Sequence, residues 1–190
     1  MDVEWRNLAT SLGLSATISP QTVLDNENFF ATTDILIVSS GVIALPVNRV
    51  TTVLHFLQAG KGVYLQGEYD INYQSNLAFK SIIEQTGGSF TWTNSVSGSL
   101  EPITPQGCLA ATNICTSPLT YFFYAATGTW NAAGLTPFLF SNASPIGWTY
   151  DPPGLGRMVF NTDQDWVRAR DMNPTHIDLM QNILMRLGNP

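Results

Sequence analysis

The stretch TDILIVSSG (33–41), a helix-like run over 46–60 and KGVYLQG (61–67) decide the fold of this chain. Both flanking segments are apolar almost throughout, as buried parallel strands are, and the run between them carries Val50, Val53, Leu54 and Leu57 at helical spacing. Strand, crossover helix and strand make a βαβ unit, which places the chain in the α/β class. Ligands of open α/β sheets bind beyond the carboxyl ends of the strands. Those ends read Ser39-Ser40-Gly41 and Gln66-Gly67-Glu68-Tyr69-Asp70.

Working outward, residues 2–12 read as an amphipathic helix with Val3, Leu8 and Leu12 on one side, and residues 15–18 as a short strand. A helix over 75–85 is expected to bury Leu77, Phe79, Ile82 and Ile83, with Gly87-Gly88 ending it. Residues 94–144 are rich in Ser, Thr, Gly, Pro and aromatics without a clear period. They read as an irregular, partly β insertion with some strands inside it. Tyr121 to Tyr124 is expected to lie in buried sheet.

After it, PIGWTY (145–150), the turn DPPGLG (151–156) and residues 157–161 read as a β-hairpin. The last strand leads into Asp163-Gln164-Asp165-Trp166, and a closing helix over 174–187 buries Ile177, Met180, Ile183, Leu184 and Leu187. No repeat or linker is visible, so residues 1–190 read as a single domain. The expected architecture is a three-layer α/β/α sandwich, flavodoxin-like, with a mainly parallel sheet and an added hairpin. Such folds usually open on a strand, whereas this chain opens on a helix. The sequence is therefore expected to start partway into a larger protein.

The 190 residues suffice for a sizeable core, and no apolar run approaches the ~20 residues of a membrane span. Eight Lys plus Arg against fourteen Asp plus Glu give a net charge of -6, with no basic run. Nucleic acid and anionic membrane surfaces are thereby disfavoured as partners. Met1 leads into DVEWRN, which is unlike a secretory leader. Ser, Thr and Asn together make about a quarter of the chain while charged residues are 12%. That polar but weakly charged surface favours an exported location. Cys108 and Cys115 could close a short loop in an oxidising compartment or stand as two small apolar residues. Asn142-Ala143-Ser144 is a formal glycosylation sequon.

With these elements placed, the chain resembles the class I glutamine amidotransferase-like superfamily, nearest to its ThuA-like, non-catalytic branches. The resemblance rests on TDILIVSSG with the helix and turn leading to GKGVYLQG, on PIGWTYDPPGLGRMVFNTD, and on the closing helix with Asn182, Ile183 and Leu184. It covers about 33–90 and 145–188. Working members of that superfamily carry a cysteine nucleophile on a Gly-x-Cys-x-Gly elbow after the strand and a histidine after a late strand. The corresponding elbow here, 66–70, holds no cysteine, and the late strand ends in Asp163-Gln164-Asp165. His55 lies within a helix and His176 opens the last one, where it is expected to cap or be exposed. A cysteine hydrolase needs a nucleophile beside its base, so no catalytic residue and no cofactor are expected.

The candidate ligand-binding rim comprises Ser40, Gly41, Gly67, Glu68, Tyr69, Asp70, Asp163 and Asp165. Four carboxyls at one rim would raise one another's pKa or invite a cation, and whether a metal binds is open. Acidic strand ends also simply cap turns, and Asp163 and Asp165 could do so before Arg168 and Arg170. Tyr73, Trp92, Trp148 and Trp166 could supply a sugar-stacking face. The expected function is a non-catalytic domain binding a small molecule, carbohydrate or protein partner within a larger exported protein. The alternatives are a carboxylate- or metal-dependent hydrolase acting on carbohydrate and a structural or assembly module.

Overall fold

A computed structural model of the chain describes residues 1–105, 119–168 and 173–188, with side chains described in all of these except 97–105 and 119–123. Cys108 and Cys115 lie outside the described residues, as do the side chains of 121–123.

The α/β class is confirmed. In chain order the described residues form α1 (Asp2–Ser11), β1 (Ile35–Val38), α2 (Val47–Gln58), β2 (Gly62–Gln66), α3 (Gln74–Gln85), β3 (Ser89–Pro105), β4 (Leu119–Asn131), β5 (Leu135–Ser141), β6 (Ser144–Tyr150), β7 (Met158–Asn161) and α4 (Pro174–Gly188). The sheet order is β1-β2-β7-β6-β5-β3-β4. β1, β2 and β7 run parallel, with Val38 opposite Leu65 and Gln66 opposite Asn161. All other pairings are antiparallel. The expected mainly parallel sheet is thus a three-strand parallel block extended by antiparallel strands. The hairpin read from DPPGLG is β6–β7, pairing Tyr150 with Met158.

The pleat of the parallel block divides the core. Tyr64 and Val159 face one cluster with Trp5, Trp166, Leu179, Met180 and Ile183. Val63, Leu65, Met158 and Phe160 face another with α2 and α3, where Phe79 stacks on Phe160 at a ring distance of 4.0 Å. Each successive side chain of a strand points to the opposite face, so both faces are covered by helix.

Within 94–144 the described residues hold the strands expected there: β3 and β4 pair antiparallel over a long stretch, and β3 meets β5 through Ile103–Pro105. Several local expectations are corrected. Residues 15–18 form no strand. α1 buries Trp5 and Ala9, one helical turn apart, and leaves Val3 and Leu12 exposed, because Trp5 packs on Tyr64 and Trp166. In α3 Leu77 is exposed and Ser75, Asn76, Ala78, Phe79, Ile82 and Ile83 are buried. In α4 the buried stripe is His176, Leu179, Met180, Ile183, Leu184 and Leu187, while Ile177 faces out. His176, expected at the surface, is fully buried.

Candidate functional site

The carboxyl ends of β1, β2 and β7 form one rim, and glycine lets them meet. A Cβ on Gly41 would lie 2.2 Å from the Gly67 carbonyl oxygen, so the loop after β1 rests directly on the turn after β2. A Cβ on Gly67 would meet Asn76 Oδ1 at 2.3 Å and Phe160 Cζ at 2.4 Å. The turn is clamped by Asn76 at the start of α3: its Nδ2 donates to the carbonyls of Glu68 (2.6 Å) and Asp70 (2.9 Å), and its Oδ1 accepts the Glu68 N–H (3.1 Å). Ser75 Oγ donates to the Gly41 carbonyl at 2.6 Å, which ties the same helix to the first loop. Beneath the turn, Gln66 Nε2 donates to the carbonyls of Gly67 and Asn161, and Tyr64 donates to Gln66 Oε1 at 2.5 Å. Ser40 lies in the loop beside Ser39, which bonds the Asp2 carboxyl.

The carboxyls divide into two kinds. Glu68 is only 6% exposed, and its Oε1 accepts the Tyr69 N–H at 3.1 Å. Burial pushes its pKa up to about 7, with the Asp165 charge adding to the rise; the N–H groups of Tyr69 and Gln164 and the Arg168 guanidinium pull the other way. Asp163, at 1% exposed, accepts the N–H of Asp165 at 2.8 Å and of Tyr124 at 3.0 Å. Burial raises its pKa well above the usual range, and the charges of Glu68 and Asp165 raise it further. Asp165 is the first residue of a short turn over Asp165–Val167 and pairs with Arg168 at 2.7 Å. Asp70 is of the other kind: its Oδ1 accepts the N–H (2.9 Å) and Nδ2 (3.1 Å) of Asn72, closing an Asx turn. The structure therefore brings together Glu68, Asp163 and Asp165, while Asp70 stands to one side.

Tyrosines cover this cluster. Tyr69 meets Tyr73 at a ring distance of 5.6 Å and Tyr124 at 5.8 Å. The hydrogen bond to Tyr69 raises the Tyr73 phenol, and the charges of Glu68 and Asp70 add to it. Trp148 and Trp166, candidates for a sugar-stacking face, are fully buried in the core. Trp92 donates its Nε1–H to the Asn76 carbonyl at 3.1 Å.

Sequence reasoning missed Asn76, Gln164 and Arg168, and it expected Tyr124 in buried sheet, whereas Tyr124 lies on β4 but is 41% exposed. Only Asn76 carried a signal, an amide in the first turn of the helix that follows a glycine turn.

Of the histidines, His55 on α2 pairs with Glu27 at 2.5 Å, and His176, in the first turn of α4, is fully buried. Among the described residues no group of three or more His, Cys, Asp and Glu is arranged to hold a metal ion. Two depressions of about 350 Å³ each lie at the opposite end of the sheet, against Ile35 and Gly62. Among the described residues no helix is long and apolar enough to cross a membrane.

No described protein family and no curated protein sequence matches this chain. Solved structures do resemble it in fold. The cytoplasmic protein STM3548 from Salmonella typhimurium aligns over 97% of this chain and 85% of its own, with a TM-score of 0.66 and 13% identity. The mmIFT52 N-terminal domain aligns over 98% and 91%, with a TM-score of 0.63 and 10% identity. The exo-beta-1,4-mannosidase Op5Man5 from an Opitutaceae bacterium aligns over 98% of this chain but 28% of its own, with a TM-score of 0.54 and 9% identity. At such identities the likeness is one of fold.

Proposed function

We propose that this chain is a non-catalytic domain of the class I glutamine amidotransferase-like type, a flavodoxin-like three-layer α/β/α sandwich. In this reading it binds a ligand or a protein partner at the rim of β1, β2 and β7, within a larger exported protein. The observation that carries the reading is the state of the elbow. Where a hydrolase of that type presents a thiolate, this turn carries Glu68, which is buried and hydrogen-bonded to the backbone of its own turn. Where that type places a histidine, the late strand carries Asp163, which receives two backbone N–H groups. The turn thus carries a buried carboxyl at the place where a thiol nucleophile of that type would stand.

One observation favours the carbohydrate hydrolase instead. A carboxyl at about 7 beside a second carboxyl is what a general acid needs. Glycoside hydrolysis, however, needs its two carboxyls to flank a bound sugar ring. Here Asp163 is 1% exposed and both of its oxygens accept backbone N–H groups, so it does not face a sugar ring, and the two depressions of the surface lie at the far end of the sheet. The binding reading is therefore preferred.

Incubation of the purified chain with glutamine and with a panel of nitrophenyl glycosides decides between them. The expected result is no ammonia and no nitrophenol above the blank. Turnover of either substrate that Glu68→Gln abolishes overturns the proposal.

A further inference from the structure

Tyr69 and Tyr124 are each 41% exposed with their rings in contact, and Tyr73 stands edge-on to Tyr69. Glu68 accepts the Tyr69 backbone N–H and Asp163 that of Tyr124, so both carboxyls lie against the backbone of these two residues. Among the described residues only Arg168 brings a positive charge here, and it is paired with Asp165. Glu68, Asp70 and Asp163 form no ion pair among the described residues. In the same loop Gln164 is 5% exposed, and its Oε1 has no hydrogen-bond partner. The backbone N–H of Gln164 faces the Glu68 carboxyl, which places this residue at the cluster.

Among the described residues the rim thus offers acceptors and π faces in excess of donors, on a chain of net charge -6. Its complement is a cation that is flat, rich in N–H donors and able to lie on a tyrosine ring. A guanidinium has all three properties, whereas an ammonium is a compact point charge. The Asp165–Arg168 pair shows one guanidinium already held at this edge. A neutral sugar would use the rings but leave the carboxyls uncompensated.

We infer that this tyrosine-edged rim receives an arginine side chain from a protein partner, its planar group on Tyr69 and Tyr124 and its N–H groups toward Glu68 and Gln164. The inference rests on the reading of the rim as a binding site and names the chemistry of what is bound.

Isothermal titration calorimetry of the full chain with a capped Gly-Arg-Gly peptide tests it, with lysine and citrulline peptides of the same length as comparators. The arginine peptide binds, the lysine peptide binds more weakly, and the neutral citrulline peptide gives no heat. Tyr69→Ala, at an exposed position, weakens the arginine peptide about three- to tenfold, and Tyr69→Phe restores it. Absence of binding by the arginine peptide, equal binding by the lysine or citrulline peptide, or unchanged binding by Tyr69→Ala each overturns the inference. Such a failure leaves the non-catalytic reading intact, because the glutamine and glycoside assays judge that reading separately.

Discussion

Glu68→Gln is expected to stabilise this protein at alkaline pH while leaving it unchanged at acid pH. The wild-type carboxyl sits at about 7 in the folded chain against its usual 4.5. A group whose folded pKa is raised contributes fully below its unfolded value and loses that contribution as pH rises through the folded one. Between these limits the native state binds more protons than the unfolded state, so unfolding free energy falls with rising pH. The interval corresponds to up to about 3 kcal/mol, lost almost completely by pH 8. Glutamine keeps the shape and the oxygen that accepts the Tyr69 N–H, but carries no charge to bury. Urea unfolding at pH 4, 6 and 8 therefore shows the two proteins nearly level at pH 4 and the variant ahead at pH 8 by up to about 3 kcal/mol, or about 6–12 °C in Tm. Asp163 retains some pH dependence in the variant, reduced because one of the charges crowding it is gone. Equal pH slopes in the two proteins, or a variant less stable at pH 8, would refute the account of a carboxyl buried at a cost.

Asn76→Ala removes three hydrogen bonds that hold the elbow and leaves the buried carbonyl of Glu68 without its donor. It is expected to lower stability by about 2–4 kcal/mol, read from the urea midpoint at constant m. Gly67→Ala drives a methyl into Asn76 and Phe160 and is expected to cost about 1–3 kcal/mol, with Gly60→Ser, a surface turn at φ 79°, as a milder comparator. Asp165→Asn removes one charge that raises Glu68. The Glu68 side-chain titration followed by NMR should move to lower pH, and an unmoved midpoint would mean the two groups are not coupled.

The parallel block was legible because its pattern is local. Ile35–Val38 and Val63–Leu65 are uninterrupted apolar runs, the helix between them repeats at helical spacing, and DPPGLG announces a turn. Phe90 and Trp92 alternate with threonines as a strand does, so the start of β3 is legible; its continuation and β4 are not, because Ser95 and Ser97 flank a lone Val96 and the pairing partner lies far along the sequence, Thr129 for Thr91. What holds such strands is their cross-strand partner, which local composition does not reveal. The same limit applied at the rim. Topology alone placed Glu68, Asp70, Asp163 and Asp165 at the strand ends, but not which of them would be buried. Asp163 is enclosed by the backbone of Tyr124 on β4, and Glu68 by the loop after β7. Asp70 looked equivalent in sequence yet spends its carboxyl on Asn72 two residues away.

Two carboxyls held away from water without an ion pair of their own are a poor way to build stability. Local rules of folding are most often broken at sites kept for another purpose. If Glu68 and Asp163 were merely structural, Glu68→Gln would raise stability at pH 8 and leave binding at the rim untouched. If the rim receives a guanidinium, the same substitution raises stability and weakens the arginine peptide, since it removes the charge that the guest compensates. Calorimetry on the stabilised variant thus separates the two: a protein that is firmer and binds less shows that the cost of burying Glu68 is maintained for recognition. A protein that is firmer and binds as before assigns Glu68 to the frame of the turn and leaves recognition to the tyrosines and Asp165.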